Sequence, residues 1–253
     1  MRVILIGAGN VATHLAKALK VVNVQVSQIW SYHYENALLL ASQVGAVALK
    51  DLATLDQNAD LCLIAVNDDS ISKLALQLQD FKGIIAHTSG SVNMNVFEDL
   101  FSNYGVFYPL QTFSKNKAVD FSTIPLCLEA NNENTLTLLK QLANKLSQNV
   151  IEVNSEKRKI LHLAAVFACN FTNHLYALAN DILVAHQLDF SILRPLIKET
   201  AAKIEHAMPN DVQTGPAVRN DEQTLLKHEQ LLLEQPQLVE IYKTLSNSIK
   251  KIR

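Results

Sequence analysis

Apolar and polar positions in the first 150 residues form two kinds of segment that alternate along the chain. Short runs that are almost wholly apolar, such as residues 2–6 (RVILI) and 59–66 (ADLCLIAV), are typical of strands buried on both faces of a parallel sheet. Between them lie longer segments with Leu and Ala at helical spacing, such as residues 35–45. This alternation predicts an α/β fold with a doubly wound, mostly parallel sheet.

From Ser155 onward the chain shows helical segments only. Pro195 is tolerated in the first turn of a helix and costly deeper in it, so we expect one of these helices to begin near Arg194. Residues 209–221 contain two prolines and Gly215 and are predicted to form a loop. We therefore predict a sheet domain over residues 1–154 and an all-α domain over residues 155–253.

Composition and charge exclude several classes of protein. Apolar residues make up 49% of the chain and charged residues 18%, as in globular proteins. The net charge of −2 and the lack of a Lys/Arg cluster argue against a nucleic-acid partner. The first apolar run is too short for a signal peptide, and no run is apolar enough to span a bilayer, so we expect a cytoplasmic protein. The three cysteines form no CxxC pair and are expected to be buried, reduced thiols.

Residues 7–12 (GAGNVA) lie between the first apolar run and a helical segment. In a G-x-G-x-x-A turn, Gly7 permits the tight turn, Gly9 lets a pyrophosphate approach the backbone, and Ala12 lets helix and strand pack closely. The helix N-terminus then offers free N–H groups to the phosphates. This context predicts dinucleotide binding. The alternative is a close-packed turn that binds nothing.

Ligands of such sheets bind beyond the carboxyl ends of the strands, which directs attention to five loops. They are residues 7–12, 31–34, 67–70, 87–91 and 108–112. The second strand is followed by Ser31 and not by an Asp or Glu that would bind a ribose 2′-hydroxyl, which favours NADP over NAD. The usual Arg is also missing and His33 is a weak substitute, so NAD stays possible.

Two of these loops carry polar side chains with more than one possible role. Asp68 and Asp69 precede a helical segment, and their expected role is to cap its N-terminus, the alternative being a role in a ligand site. His87 and Ser89 lie at the end of a central strand, where a substrate could be met. Alternatively, His87 is buried in the sheet and Ser89 or Ser91 caps a helix.

The helical segment 160–180 contains no charged residue, yet it carries several His and Asn side chains. On a wheel of 100° per residue they form one stripe beside an apolar face. The members of the stripe are His162, Asn170, Asn173, His174, Asn180 and Asp181. Such side chains suit a ligand cleft, a partner subunit or a neighbouring helix. No pair of histidines four positions apart lies on this face, so no metal site is predicted.

Taken together, these motifs carry a resemblance that extends over nearly the whole chain. They are GAGNVATHLA (7–16), ADLCLIAVNDDSI (59–71), IIAHTSGS (84–91), GVFYPLQTF (105–113), HLAAVFACNFTNHL (162–175) and QTGPAVRND (213–221). The chain resembles the Rossmann-like oxidoreductases related to pyrroline-5-carboxylate reductase. It is most similar to an uncharacterised branch that has a helical C-terminal domain of unknown function and is often described as deazaflavin-dependent NADP oxidoreductases. The resemblance implies NADP binding and a homodimer formed through the helical domain, and it implies no particular substrate.

The resemblance also implies roles for individual residues. Those matching the cofactor site are Gly7, Gly9, Asn10, Val11, Ala12, Ser31, Val66, Asn67, Asp68, Ser89 and Gly90. His162 and Asn170 match a polar pair of the first C-terminal helix, and Thr214, Gly215, Pro216 and Arg219 match a late loop. The chain departs from the pattern at Tyr108, where relatives commonly have His, and at Ser31, which no Arg follows.

Our hypothesis from the sequence is an NADP-dependent oxidoreductase that acts on a small carbonyl or imine in a cleft between the two domains. His162, Asn170 and His174 hold the substrate, and one of the histidines protonates it. Tyr108 and Thr214 contribute to the substrate site, and Arg219 binds a substrate carboxylate or forms a helix-cap or salt-bridge contact. The alternative is a nucleotide-binding sensor or scaffold dimer without turnover.

Overall fold

The computed structural model describes residues Met1 to Lys251. The chain divides into two compact units, the first running from Met1 to Cys169 and the second beginning at Asn170. Each unit is described by itself below.

The first unit is built on one sheet of eight strands. The strands are β1 (Arg2–Ile6), β2 (Gln25–Trp30), β3 (Val47–Leu49), β4 (Leu61–Ile64), β5 (Ile84–His87), β6 (Tyr104–Pro109), β7 (Leu126–Ala130) and β8 (Val150–Glu152). Their order in the sheet is β3-β2-β1-β4-β5-β6-β7-β8. Neighbouring strands from β3 to β6 are parallel, β7 runs antiparallel to β6, and β8 is parallel to β7. The predicted α/β fold with a doubly wound, mostly parallel sheet is confirmed.

Helices cover both faces of this sheet. They are α1 (Asn10–Val21), α2 (Tyr34–Val44), α3 (Asp68–Gln77), α4 (Glu133–Leu146) and α5 (Ser155–Ala165). Apolar side chains of α1, α2 and α4 pack with Val3, Leu5 and Leu63 in one core cluster. Side chains of α3 pack with Ile4, Ile6 and Ile64 in a second cluster. Because both faces are covered, each of these strand residues is buried, which explains the unbroken apolar runs in the sequence.

The parallel arrangement decides where a ligand can bind. Strands β1, β2, β4, β5 and β6 point the same way, so their carboxyl ends lie along one edge of the sheet. The order reverses at β1, whose two neighbours are β2 and β4, and a crevice at such a switch point is the usual ligand site of an open α/β sheet. The five loops selected from the sequence all follow strands at this edge.

The second unit is helical. After a π-helical segment at Val166–Phe171, the chain forms α6 (Thr172–Ala185), a 3₁₀ turn at Phe190–Leu193, α7 (Arg194–Lys203), α8 (Glu222–Leu231) and α9 (Pro236–Lys251). Pro195 lies in the first turn of α7, as predicted. Residues 209–221 contain neither helix nor strand, which confirms the predicted loop.

The π-helical segment corrects one interpretation of the sequence. A π-helix has i→i+5 hydrogen bonds and turns by less than 100° per residue, so a single α-helical wheel cannot span Val166–Phe171. The stripe that joined His162 to Asn170 and His174 on one face was therefore wrong as a geometric argument. The expected burial of all cysteines was also wrong in part, because Cys62 and Cys127 are buried but Cys169 is exposed.

The second unit has almost no core of its own. From Asn170 to Lys251, only Ala217 and Leu225 are buried. Many large apolar side chains of this unit are exposed, among them Val184, Leu188, Ile192, Leu196, Ile204, Leu231 and Leu233. Among the described residues, no helix is long and apolar enough to cross a membrane.

Candidate functional site

The loop between β1 and α1 has the geometry that a dinucleotide phosphate requires. Gly7 has a φ of +123°, and a Cβ there would lie 2.1 Å from the carbonyl oxygen of Ala65. No other residue fits this turn. Gly9 precedes α1 without forming a side-chain cap, and a Cβ on Gly9 would meet no atom of the described chain within 4 Å. The first turn of α1 therefore presents backbone N–H groups to an open space, which fits a pyrophosphate.

The loop after β4 differs from the prediction. Helix α3 begins at Asp68, its N-cap is Asn67, and Asn67 forms no side-chain cap. Asp68 instead accepts a hydrogen bond from the hydroxyl of Ser91. The capping role expected of Asp68 and Asp69 was wrong, because β4 and β5 are neighbours and the loop after β5 supplies a donor to Asp68.

The loop after β5 is held by Ser89 and His87. The hydroxyl of Ser89 accepts hydrogen bonds from the backbone N–H groups of Ser91 and Val92, each at 3.1 Å. Nδ1 of His87 accepts a bond of 3.2 Å from the N–H of Ser89, and the imidazole is fully buried. Burial, with a smaller effect of the nearby Arg158 charge, lowers the pKa of His87 to about 3, so the ring is neutral at pH 7. Of the alternatives left open by the sequence, His87 is therefore a buried sheet residue.

Tyr108, at the end of β6, pairs with His162 of α5. The phenol oxygen lies 3.1 Å from Nδ1 of His162, and either group can be the donor, depending on the imidazole tautomer. Gly90 lies against both side chains, because a Cβ there would come within 2.7 Å of His162 Nδ1 and 2.8 Å of Tyr108 Cζ. Burial raises the pKa of Tyr108 to about 12, so the phenol keeps its proton at neutral pH.

A buried ion pair fixes the start of α5 and was not predicted. Arg158 is fully buried and pairs with Glu129 of β7. Glu129 also accepts 2.8 Å bonds from the N–H and the hydroxyl of Ser155, and Arg158 donates to the carbonyl of Val92. These contacts tie the first turn of α5 to β7 and to the loop after β5. They set the position of His162, one turn further along α5. The only hint of this ion pair in the sequence is the lone carboxylate in the strand LCLEA.

The structure brings some predicted site residues together. Gly90, Tyr108 and His162 are in contact, and Asp68 is linked to Ser89 through Ser91. Ser31 follows β2 and is partly exposed, and Val66 packs at the edge of the α3 core cluster.

The remaining predicted residues lie in the second unit. Asn170, His174, Thr214 and Arg219 are all exposed. His174 lines a cavity of about 610 Å³ together with Leu178 of α6 and Ile241 of α9. Thr214 and Arg219 do not line that cavity. Among the described residues, no cluster of His, Cys, Asp or Glu has the arrangement of a metal site.

Comparison with known proteins agrees with this description. Residues 124–249 match a family described as a domain of unknown function, DUF2520. A candidate NADP oxidoreductase from Bacteroides fragilis, BF3122, has a crystal structure that matches with a TM-score of 0.93 and 43% identity over 99% of this chain and 98% of that chain. The comparison with curated proteins gives no match.

More distant structures share the fold. A reductive aminase from Aspergillus terreus in complex with NADPH and ethyl-5-oxohexanoate has a TM-score of 0.73, at 12% identity over 99% of this chain and 92% of that chain. A 1-pyrroline-5-carboxylate reductase from Streptococcus pyogenes has a TM-score of 0.66, at 13% identity over 99% and 98%.

The identity to the Bacteroides protein covers nearly the whole of both chains, and the two chains share the fold. The chain belongs to the family of Rossmann-fold NADP oxidoreductases that includes the Bacteroides protein and is related in fold to pyrroline-5-carboxylate reductase, and its residues 124–249 match DUF2520.

Proposed function

We propose that the protein is an NADP-dependent oxidoreductase that transfers a hydride to or from a small carbonyl or imine substrate. The observation that carries this proposal is the Tyr108–His162 pair beside Gly90, which lies at the same edge of the sheet as the phosphate loop. A hydrogen-bonded phenol and imidazole at this edge provide a proton donor where the fold family binds the nicotinamide.

The chain offers a fitting site for the cofactor. Gly7, Gly9 and the first turn of α1 would hold the pyrophosphate, since the space beside Gly9 is open. Asn67, Asp68, Ser89 and Gly90 would flank the nicotinamide end. When bound, the nicotinamide supplies or accepts the hydride.

Tyr108 is the proposed proton donor. Burial raises the pKa of its phenol to about 12, so the proton stays in place at neutral pH until charge develops on the substrate, and the O–H can then donate to a carbonyl oxygen or an imine nitrogen. When the substrate carbon gains a hydride, its oxygen or nitrogen gains an electron pair and takes the phenolic proton. His162, partly exposed, returns a proton from solvent to the phenol oxygen through Nδ1.

Four residues of the second unit have proposed roles in binding a substrate. Asn170 and His174 offer an amide and an imidazole, and Thr214 offers a hydroxyl. Arg219 is exposed and can bind a substrate carboxylate in a bidentate pair. Each of these roles is independent of the Tyr108–His162 pair and is tested by its own alanine variant.

We also propose that the protein is a cytoplasmic homodimer formed through the helical domain. A unit of this length with two buried side chains cannot be stabilised by its own core. Its exposed apolar side chains include Ile192 and Leu196, at 59% and 61% exposure. Together these side chains form more exposed apolar surface than a monomer usually carries. A second copy would cover them.

The experiment that tests the proposed function combines binding and turnover. Purified protein is titrated with NADPH and NADH while nicotinamide fluorescence is followed, and then mixed with panels of cyclic imines, keto acids and deazaflavins. We expect the protein to bind NADPH and to oxidise it with a substrate from at least one of these panels. Absence of binding to folded protein would contradict the proposal. Tight binding without turnover across all panels would instead favour a nucleotide-dependent sensor.

A further inference from the structure

A small cavity in the first unit opens beside the phosphate loop. It lies between α1 and α2 and has a volume of about 200 Å³. Ala8, which stands between the two glycines of the phosphate loop, is one of its lining residues. Thr13 and Lys17 of α1 form one wall, and Asn36 of α2 lies on the other. Pockets for drug-sized ligands measure about 300–1,000 Å³, so this cavity suits one group of a larger ligand.

The charge of this cavity is positive. Lys17 and Lys115 both line it, and Asn116 adds a further hydrogen-bonding side chain from the same loop as Lys115. Among the described residues, no Asp or Glu lines it, and Glu35 in the first turn of α2 is not part of its wall. The two lysines also line a neighbouring cavity that contains Asp120, whose carboxylate accepts hydrogen bonds from Ser122. Two cations with no carboxylate in the cavity itself, beside a loop built for phosphates, favour a phosphate monoester as the occupant.

Lys115 is held at this place by contacts of its own loop. Nε2 of His14, a buried residue of α1, lies 2.9 Å from the carbonyl oxygen of Ser114. The ring of Phe113 packs on His14 with centroids 5.2 Å apart, and Phe113 stacks on Phe121. The residue immediately before Lys115 is therefore anchored to the helix that also carries Lys17.

The end of β2, where such folds usually read the 2′-position of the adenosine ribose, has no Lys or Arg among the residues that follow the strand directly, but Lys50 after β3 lies beside it, with Nζ 5.1 Å from the ring centroid of Tyr34. Ser31, Tyr32 and His33 follow the strand, and Tyr32 is 86% exposed. A 2′-phosphate bound there would have Lys50 as a partner of full positive charge, and that ammonium group already lies over the Tyr34 ring. The cavity beside Ala8 contains two such partners.

We propose that Lys115 and Lys17 bind the 2′-phosphate of NADP in the cavity between α1 and α2 and thereby give the protein its preference for NADP over NAD. His14 acts as a positioning residue, since it holds the loop that carries Lys115. This inference rests on the proposed function, because it concerns the cofactor of that reaction. It assigns cofactor choice to the loop after β6 and not to the residues after β2.

The test measures affinity and not turnover. Dissociation constants for NADPH and NADH are measured by nicotinamide fluorescence for the wild type, for Lys115→Ala and Lys17→Ala, and for the double variant. Adenosine 2′,5′-bisphosphate and AMP serve as competitors that lack the nicotinamide. Lys117→Ala is the matched control, because Lys117 lies in the same loop, carries the same charge and does not line the cavity. All three lysines are exposed, so their loss leaves the core intact.

We expect the wild type to prefer NADPH and the bisphosphate. Lys115→Ala should weaken NADPH binding about tenfold or more and change NADH binding by less than about twofold, as for loss of one charge-assisted hydrogen bond. Lys115→Arg should restore most of the preference, and Lys117→Ala should match the wild type. His14→Ala should shift the preference in the same direction as Lys115→Ala, by a smaller factor.

Three results would overturn the inference. If the double variant keeps the NADPH preference, or loses affinity for NADPH and NADH equally, the lysines do not read the 2′-phosphate, and the proposed function stands. If the wild type binds both nucleotides equally well, the inference again fails while hydride transfer remains possible. If the folded wild type binds neither nucleotide, the inference falls together with the proposed function.

Discussion

The phenol oxygen of Tyr108 lies 3.1 Å from Nδ1 of His162, although the two residues are 54 positions apart. Tyr108 is the residue before the last of β6, and His162 lies on the helix that follows the last strand. The buried Arg158–Glu129 pair fixes that helix to the sheet, so the contact between phenol and imidazole is built into the first unit. The predictions below test this arrangement and its surroundings.

Gly90→Ala should disturb the Tyr108–His162 pair and lower stability. The new methyl group would lie 2.7 Å from His162 Nδ1 and 2.8 Å from Tyr108 Cζ, so one ring must move. Overpacking of this kind costs about 1–3 kcal/mol in the free energy of unfolding. Chemical denaturation measures this loss, and turnover should fall with it. Unchanged stability and turnover would show that the three residues are not packed as described.

Gly9→Ala should behave in the opposite way. A Cβ at Gly9 meets no atom of the described chain within 4 Å, and its φ of −78° is accessible to alanine. The free energy of unfolding should therefore stay within about 0.5 kcal/mol of the wild type, as for other substitutions outside the core. NADPH binding should weaken, since the methyl group would occupy the space of the pyrophosphate. Undiminished affinity in the titration would place the phosphates elsewhere.

Acid should destabilise the protein through His87. Burial, with a smaller effect of Arg158 and against the opposing charge of Asp68, lowers the pKa of His87 to about 3. An unfolded histidine titrates near about 6.5, so the unfolded state takes up a proton first as pH falls. The stabilising contribution is therefore complete above about pH 6.5 and is lost as pH falls towards 3, by at most about 1.4 kcal/mol per pH unit.

The measurement is the free energy of unfolding from urea titrations between pH 7 and pH 4, for the wild type and for His87→Leu. The variant loses the partner of the Ser89 N–H and should be less stable at pH 7. Its stability should nevertheless fall less steeply with acid than that of the wild type. Parallel pH profiles would mean that His87 is not the group responsible.

The element types could be predicted from the sequence, because every central strand is an apolar run and the helices between them have regular spacing. The β1–α1 loop was predictable for the same reason, since its chemistry is local. The Tyr108–His162 contact and the cavity of Lys17 and Lys115 were not, because each joins distant segments of the chain. The contact of His14 with the carbonyl oxygen of Ser114, which brings Lys115 close to the helix of Lys17, joins residues 100 positions apart.

The π-helical segment at Val166–Phe171 shows a different limit of the sequence pattern. Its residues are apolar and helix-forming, and nothing in their spacing distinguishes i→i+5 from i→i+4 hydrogen bonds. A wheel of fixed angle consequently placed His162 and His174 on one face without warrant. The burial of Cys62 and Cys127 could be predicted, because both lie in apolar runs of the sequence. The exposure of Cys169 could not.

Replacing apolar side chains of the second unit by carboxylates should separate the proposed dimer. Ile192 and Leu196 are exposed, so a change of both to Asp leaves the fold of the single chain unstrained and penalises a partner surface. Light scattering should show a dimer for the wild type and a monomer for the double variant. Leu76→Asp, at a comparably exposed position of the first unit, is the control and should remain a dimer. A monomeric wild type would contradict this part of the account.

The most direct test of the central claim is the rate of NADPH oxidation by Tyr108→Phe, measured with whichever carbonyl or imine substrate the wild type accepts. Loss of the phenolic hydroxyl should lower the rate about 10²- to 10⁴-fold, the usual contribution of a positioned proton donor, and leave the NADPH dissociation constant unchanged. Tyr104→Phe, which removes a hydroxyl from the same strand, should keep the wild-type rate. A Tyr108→Phe variant that turns over as fast as the wild type would contradict the assignment of this site.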